Sequence, residues 1–214
     1  MKKDTFIAPD DRRAQILQIA LKKFATNGYH MTKVSDIVRE AGVAQGTFYW
    51  HFKSKEALAI EIIETGRVAL LDVIQQGYRQ QPGDIPDMVS ASETLFCSLF
   101  KFAADNRYLM ELLLKGNGVE ETVRRHIVEV RQAMEQAFRR NIERAMELGM
   151  LPATLDVELR AALLMGLLEG LISRWLFGSE ELHQTIASAT AERLAAEAAN
   201  FEFYGLLGKP REQE

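Results

Sequence analysis

Cysteine is almost missing from this chain: Cys97 stands alone among 214 residues. That excludes an internal disulfide and any metal centre built from cysteines, and makes a reducing cytoplasm the expected compartment. Proline is scarce too, at five residues, with 14 glycines, so collagen-like and low-complexity classes fall away. No apolar run is long enough to span a bilayer; the longest, 163–177, is interrupted by Glu169 and Arg174. The opening MKKDTFIAPDDRR carries two lysines but no apolar stretch behind them, so it does not read as a secretory signal. Also missing are G-x-S-x-G, H-E-x-x-H, a phosphate-cradling glycine loop and a dinucleotide fingerprint. No catalytic residue, resident metal or cofactor is therefore expected. His126 and His183, with no ligand-spaced neighbours in sequence, read as surface or capping residues. What is present, 47% hydrophobic and 26% charged residues, is enough to bury a real core.

Charge is unevenly distributed. The net charge of −4 argues by itself against a nucleic-acid partner. Yet residues 1–55 hold ten Lys/Arg against five Asp/Glu, a net of +5, and the remainder carries −9. Such asymmetry fits a basic module that meets a polyanion, attached to an acidic body that does not. Uneven but merely solvated faces would look the same.

Apolar residues recur at helical spacing almost throughout, and no useful run alternates with a period of two, so an all-α chain of about nine helices is expected. The reading places helices at 12–27, 34–41, 44–52 and from Ser54 to near Gly77, then a linker from Gln80 to Pro86. Further helices follow at 87–104, 107–115, 121–148, 155–177 and about 181–207. Asn117 with Glu120 resembles a helix start, and the last six residues, 209–214, read as a disordered tail.

A longer helix followed by two short ones around a glycine-containing turn is the outline of a helix-turn-helix unit. Gly42 suits a left-handed turn, and Ile37, Val43 and Phe48 could hold the two short helices at their angle. Gln45 could pair with adenine and Thr47 touch a base edge or a thymine methyl. Tyr49, His51, Lys33, Ser35 and Lys55 could meet phosphates. On spacing alone, a helical hairpin whose aromatics Phe48, Tyr49, Trp50 and Phe52 are merely core stays open.

The segment TKVSDIVREAGVAQGTFYWHFKSKEAL, residues 32–58, resembles the DNA-binding segment of the TetR family of bacterial transcriptional regulators. The match extends back through Tyr29, Gly28, Phe24, Ala20 and Ile16, and rests on AGV, GTFYWHF and KSKEAL. The resemblance implies an all-α homodimer with a helix-turn-helix DNA-binding domain at 1–55 and a larger helical ligand-binding and dimerisation domain at 56–208. Its implied partners are a double-stranded, near-palindromic operator and a small hydrophobic effector that releases the repressor. An activator, or a ligand-independent architectural protein of the same fold, is the competing reading. Carried over by position, Lys33, Ser35, Gln45, Gly46, Thr47, Tyr49, His51 and Lys55 lie where the family contacts DNA, with Gly46 small enough to let the helix approach the groove.

The remainder is less telling. Met165–Phe177 loosely resembles the penultimate helix of the family's multidrug-responsive branch. Leu163, Gly166, Leu167, Gly170, Phe201 and Tyr204 are candidates for a dimer seam, with packing inside one subunit as the equal alternative. Phe96, Phe100, Met110, Met134, Phe138 and Trp175 are candidate effector contacts, each also readable as plain core. Glu169 and Arg174, charges within the most apolar helix, must be paired, exposed or meeting a ligand.

Overall fold

The computed structural model describes residues 9–116 and 119–208, and shows no strand among them. Ten α-helices follow one another: α1 (Pro9–Asn27), α2 (Val34–Ala41), α3 (Gln45–His51), α4 (Lys55–Gln75), α5 (Ile85–Asp105), α6 (Arg107–Lys115), α7 (Glu121–Glu147), α8 (Val157–Phe177), α9 (Glu180–Ala187) and α10 (Ala191–Tyr204). The Asn117 helix start and the 209–214 tail lie outside the described residues.

The helix boundaries follow local chemistry. Asp84 accepts from the Asp87 N–H at 2.9 Å while the Asp87 carboxylate takes the Asp84 N–H at 3.1 Å. This reciprocal cap starts α5 at Ile85, two residues before the expected start, and accommodates Pro86 in the first turn, where no N–H is needed. Asp156 caps α8 by accepting from Leu159 N–H. Two helices end in the same way. At α2, Val43 N–H reaches Val38 O and Gly42 N–H reaches Arg39 O, with Gly42 at φ +66°. At α7, Met150 N–H reaches Ala145 O and Gly149 N–H reaches Met146 O, with Gly149 at φ +72°. Both satisfy orphan carbonyls through a left-handed glycine.

One expectation is corrected. The single last helix read over about 181–207 is two helices, which raises the count from nine to ten. Thr190 accepts from Arg193 N–H and so begins a new helix, and the Trp175 indole donates to Ala189 O at 2.9 Å, holding the break open. Ala189 and Thr190 carry no glycine or proline signal, which is why periodicity ran across them.

The chain forms two compact units, each with its own core. The first comprises residues up to 66 together with 108–129, and the second 67–107 with 130–208 of the described chain. In the first, α1 packs on α2 and α2 on α3 around Ile16, Ala20, Phe24, Ile37 and Phe48, all essentially buried. Val43, expected in this core, is only half-buried, whereas Val38 is buried. A Cβ built on Gly66 would come within 2.6 Å of Leu109, so α4 and α6 approach closely there. In the second unit α5 packs along α10, and α8 meets α5, α9 and α10, around Phe96, Leu99, Phe100, Phe138, Ala195 and Ala199.

Gly42→Ala tests the turn in isolation, because open space surrounds its missing Cβ. The cost is then backbone strain alone, about 1 kcal/mol, read as a lower urea midpoint with unchanged slope.

A helix-turn-helix surface and a separate cavity

The first unit presents a clear division of its aromatics. Phe48 and Phe52 are buried, at 0% and 3% exposure, whereas Tyr49 and Trp50 stand out at 52% and 72%. This alternation decides between the two readings of the hairpin: half the aromatics hold α3 in place and half face outward. Phe48 packs edge-on to Tyr49, and Trp50 edge-on to His51 with ring centres 4.5 Å apart.

Along the same outward face lie Gln45 and Gly46, both exposed, with Thr47 and His51 half-buried. Gly46 is informative because its φ is not positive and a Cβ there would meet nothing within 4 Å. Nothing in the protein's own packing requires it to be small. Lys33 and Ser35 are exposed at the start of α2. The Asp36 carboxylate reaches back to the Lys33 N–H at 3.2 Å and accepts from Arg39 at 2.7 Å. The Lys33 N–H, then Arg39, hold the Asp36 carboxyl below its ordinary value.

Lys55 is more deeply engaged than its sequence position indicates. Its ammonium donates to Tyr29 O at 2.8 Å and Thr32 O at 3.1 Å, and lies 4.1 Å from the Tyr29 ring centre. Desolvation pushes its pKa down. Two of three N–H donors are therefore committed to closing the loop between α1 and α2 onto the start of α4. Tyr29 donates to Glu120 at 3.3 Å, and burial followed by the Glu120 charge pushes its phenol up. Thr32, buried at 1% exposure, sits 2.9 Å from Gly28 O. Tyr29, Thr32 and Glu120 form this seat and were not among the expected site residues; only the fold brings Glu120 to a residue 91 positions away.

The second unit holds a separate cavity of about 70 Å³. Of the eight candidate effector residues, Phe96 and Phe138 line it. Phe100 is fully buried, edge-on to Trp175, whose indole N–H is occupied by Ala189 O. Met134 is core, and Met110 is buried in the first unit. Glu169 is paired with Arg131, and Arg174 is exposed and donates to Gly170 O one turn back, so both charges are explained without a ligand. The cavity's polar lining comes from Arg79, Ser92, Asn141 and Glu202, none of them singled out by sequence. A drug-sized ligand needs roughly 300–1,000 Å³, so this space would have to open to take one. Among the dimer candidates, Leu163 and Phe201 are 57% and 44% exposed, Gly166 is exposed, and Leu167, Gly170 and Tyr204 are half-buried. No helix among the described residues is long and apolar enough to cross a membrane.

A glycine-capped supporting helix, a seven-residue second helix and an exposed polar face define a helix-turn-helix DNA-binding protein. Residues 16–62 match the family model described as bacterial regulatory proteins, tetR family, and residues 116–190 match that of the tetracyclin repressor-like C-terminal domain. The chain belongs to the TetR family of helix-turn-helix transcriptional regulators, and is not an enzyme. It is 29% identical to the HTH-type transcriptional regulator AcrR of Shigella flexneri, over 84% of this chain and 85% of that protein. It is 25% identical to the fatty acid metabolism regulator protein of Bacillus subtilis, over 78% and 84%. Among solved structures, the fatty acid degradation regulator FadR of Bacillus halodurans superposes with a TM-score of 0.75 at 23% identity, over 92% of this chain and 97% of that one. FadR of Bacillus subtilis, solved with stearoyl-CoA, gives 0.73 at 20% identity, over 90% and 98%.

Lys55→Met should remove both carbonyl contacts while keeping most of the stem packing, and destabilise the chain by about 1–2 kcal/mol in urea titration. The cavity offers a pH test. Glu202 as a residue is exposed, yet desolvation of its carboxyl group raises it to about 7, against a Ser92 hydrogen bond that works the other way. Between its ordinary 4.5 and about 7 the folded chain therefore holds the extra proton, and stability falls as pH rises through that window. Glu202→Gln should abolish this fall, gaining about 1 kcal/mol more at pH 8 than at pH 4.5 in paired urea titrations, after allowance for screening.

Proposed function

We propose that this regulator is a ligand-responsive repressor that binds a near-palindromic operator as a homodimer and is released by a small hydrophobic effector. In this reading residues 1–55 carry the DNA-binding role, residues 56–208 the effector and dimer roles, and the protein works in the cytoplasm, where its operator lies. The single observation that carries it is the exposed face of α3, with Gln45, Gly46 and Tyr49 turned outward over a buried Phe48.

Gln45 and Thr47 read base edges, Gln45 by a bidentate contact to adenine. Tyr49, His51, Lys33 and Ser35 hold phosphates, and Lys55 adds its remaining N–H and its charge at the start of α4. Gly46 lets the helix backbone approach the groove. Dimerisation is supported by the apolar face of α8, where Leu159 and Leu163 are more than half exposed and Gly166 and Gly170 follow at helical spacing, with Phe201 exposed on α10. Leu167 and Tyr204 complete the proposed seam. The effector enters the second unit by enlarging the cavity lined by Phe96 and Phe138 and reaching the packed Phe100, Met134 and Trp175. Helix α4, whose residues fall in both units, carries the response to the DNA-binding helices. Coupling free energy is reciprocal, so operator and effector weaken each other by the same factor. Stearoyl-CoA, bound in the Bacillus subtilis FadR structure, is one rational first compound.

Selection of bound sequences from random DNA with the purified chain should recover a near-palindrome, with affinity falling steeply as salt rises. On that site Gly46→Ala separates function from stability. Its missing Cβ has open space, so the variant should gain about 0.5–1 kcal/mol of stability, yet bind the operator more weakly. Gln45→Ala should instead relax the preference at one or two base pairs. Failure to enrich any sequence at low salt would sink the proposal.

A further inference from the structure

The first unit also brings together three side chains that no part of the DNA-binding reading uses. Glu64 on α4 and His126 and Glu129 on α7 converge so that one donor atom from each lies within 4.8 Å of the others. His126 Nδ1 is 3.1 Å from Glu64 Oε1 and 3.4 Å from Glu129 Oε2. Two carboxylates thus approach a single imidazole nitrogen. That atom carries one proton or one lone pair, so it cannot serve both acceptors fully. The two carboxylates also repel each other at this range. A cation placed among the three donors would balance both negative charges and engage all three at once.

The distances suit it. Donors about 2.0–2.2 Å from a tetrahedral or octahedral ion stand roughly 3.0–3.5 Å apart. Both nitrogen–oxygen separations already fall in that range. Only the two carboxylates need to draw closer, and the Glu129 side chain, 59% exposed, has room to swing inward. The His126 and Glu64 side chains are 31% and 33% exposed, shielded enough to limit competition from water yet open to an entering ion. His126 and Glu129 lie three apart on α7, one turn of one face, as a chelating pair requires.

We propose that Glu64, His126 and Glu129 form a divalent transition-metal site, with water completing the coordination. One imidazole and two carboxylates fit Zn²⁺ and its first-row neighbours, whereas Mg²⁺ has little use for the nitrogen. A bound ion ties the middle of α4 to the first half of α7 and makes the stability of the first unit metal-dependent. This inference stands independently of the operator and effector reading.

The test uses the untagged full chain, freed of metal by chelation, titrated with Zn²⁺ and separately with Mg²⁺ by calorimetry. Co²⁺ absorption serves as a spectroscopic readout of the same site. One Zn²⁺ should bind per chain and raise the melting temperature, with Mg²⁺ silent. His126→Ala and Glu64→Gln should each weaken Zn²⁺ binding by about tenfold or more and remove the Co²⁺ bands, while His30→Ala leaves both unchanged. If His126→Ala unfolds by circular dichroism, Glu129→Gln decides, since its side chain is exposed and the variant keeps its shape. No Zn²⁺ uptake by the wild-type chain, or uptake that survives both His126→Ala and Glu129→Gln, overturns the site and leaves an ordinary ion-paired histidine.

Discussion

A seven-residue helix has no stability of its own in water, because nucleation costs more than two turns of hydrogen bonds return. The recognition helix exists because Phe48 is buried and Phe52 closes it from the C-terminal side, each ring in contact with the other at 5.6 Å between centres. That tertiary anchoring sets which way every other α3 side chain points. With Phe48 inward, Gly46 and Trp50 fall on the opposite face and Tyr49 to one side, while Gln45 is exposed because it opens the helix. The left-handed Gly42 turn, the Lys55 seat on Tyr29 and the buried Thr32 all serve to hold the same short segment at one angle.

The basic excess of residues 1–55 is put to more uses than a partner alone. Lys23 is paired with Glu40, Arg13 with Glu61 while lying over the Phe52 ring, and Lys55 with two backbone carbonyls. Those cations stabilise the unit that presents Lys33 and Lys53, both exposed. Counting charges along a segment therefore pointed to the right kind of partner but overstated the number of groups that can meet it. Acidic partners such as Glu61 lie beyond residue 55 and were invisible to that count.

In the second unit the balance between sequence and structure is different. Phe96, Phe100 and Phe138 do form a core, and the two charges buried in the pattern of α8 are resolved by a partner on α7 and by the helix's own backbone. A periodicity argument recognises that such residues belong inside without saying which of them border a cavity. Phe96 and Phe138 do, and Phe100 and Met134, also apolar and buried, do not. The polar lining, Ser92, Asn141, Arg79 and Glu202, comes from positions that in sequence look like ordinary helix surface or chain ends.

Local signals were enough to determine the all-α class, α2 and α6 to the residue, the Gly42 turn and the family, since each depends on neighbours a few positions away or on a contiguous motif. They were not enough for the break before Thr190, where a cap and an indole hydrogen bond from Trp175 override a continuous helical pattern. Nor could they show that Tyr29 meets Glu120, or that Glu64 meets His126 across 62 residues. Along the chain His126 has a single carboxylate at chelating spacing, Glu129, and its second, Glu64, arrives only when α4 packs beside α7. Helical period records which face a side chain occupies, while which distant side chain it faces is decided by the packing of one helix on another.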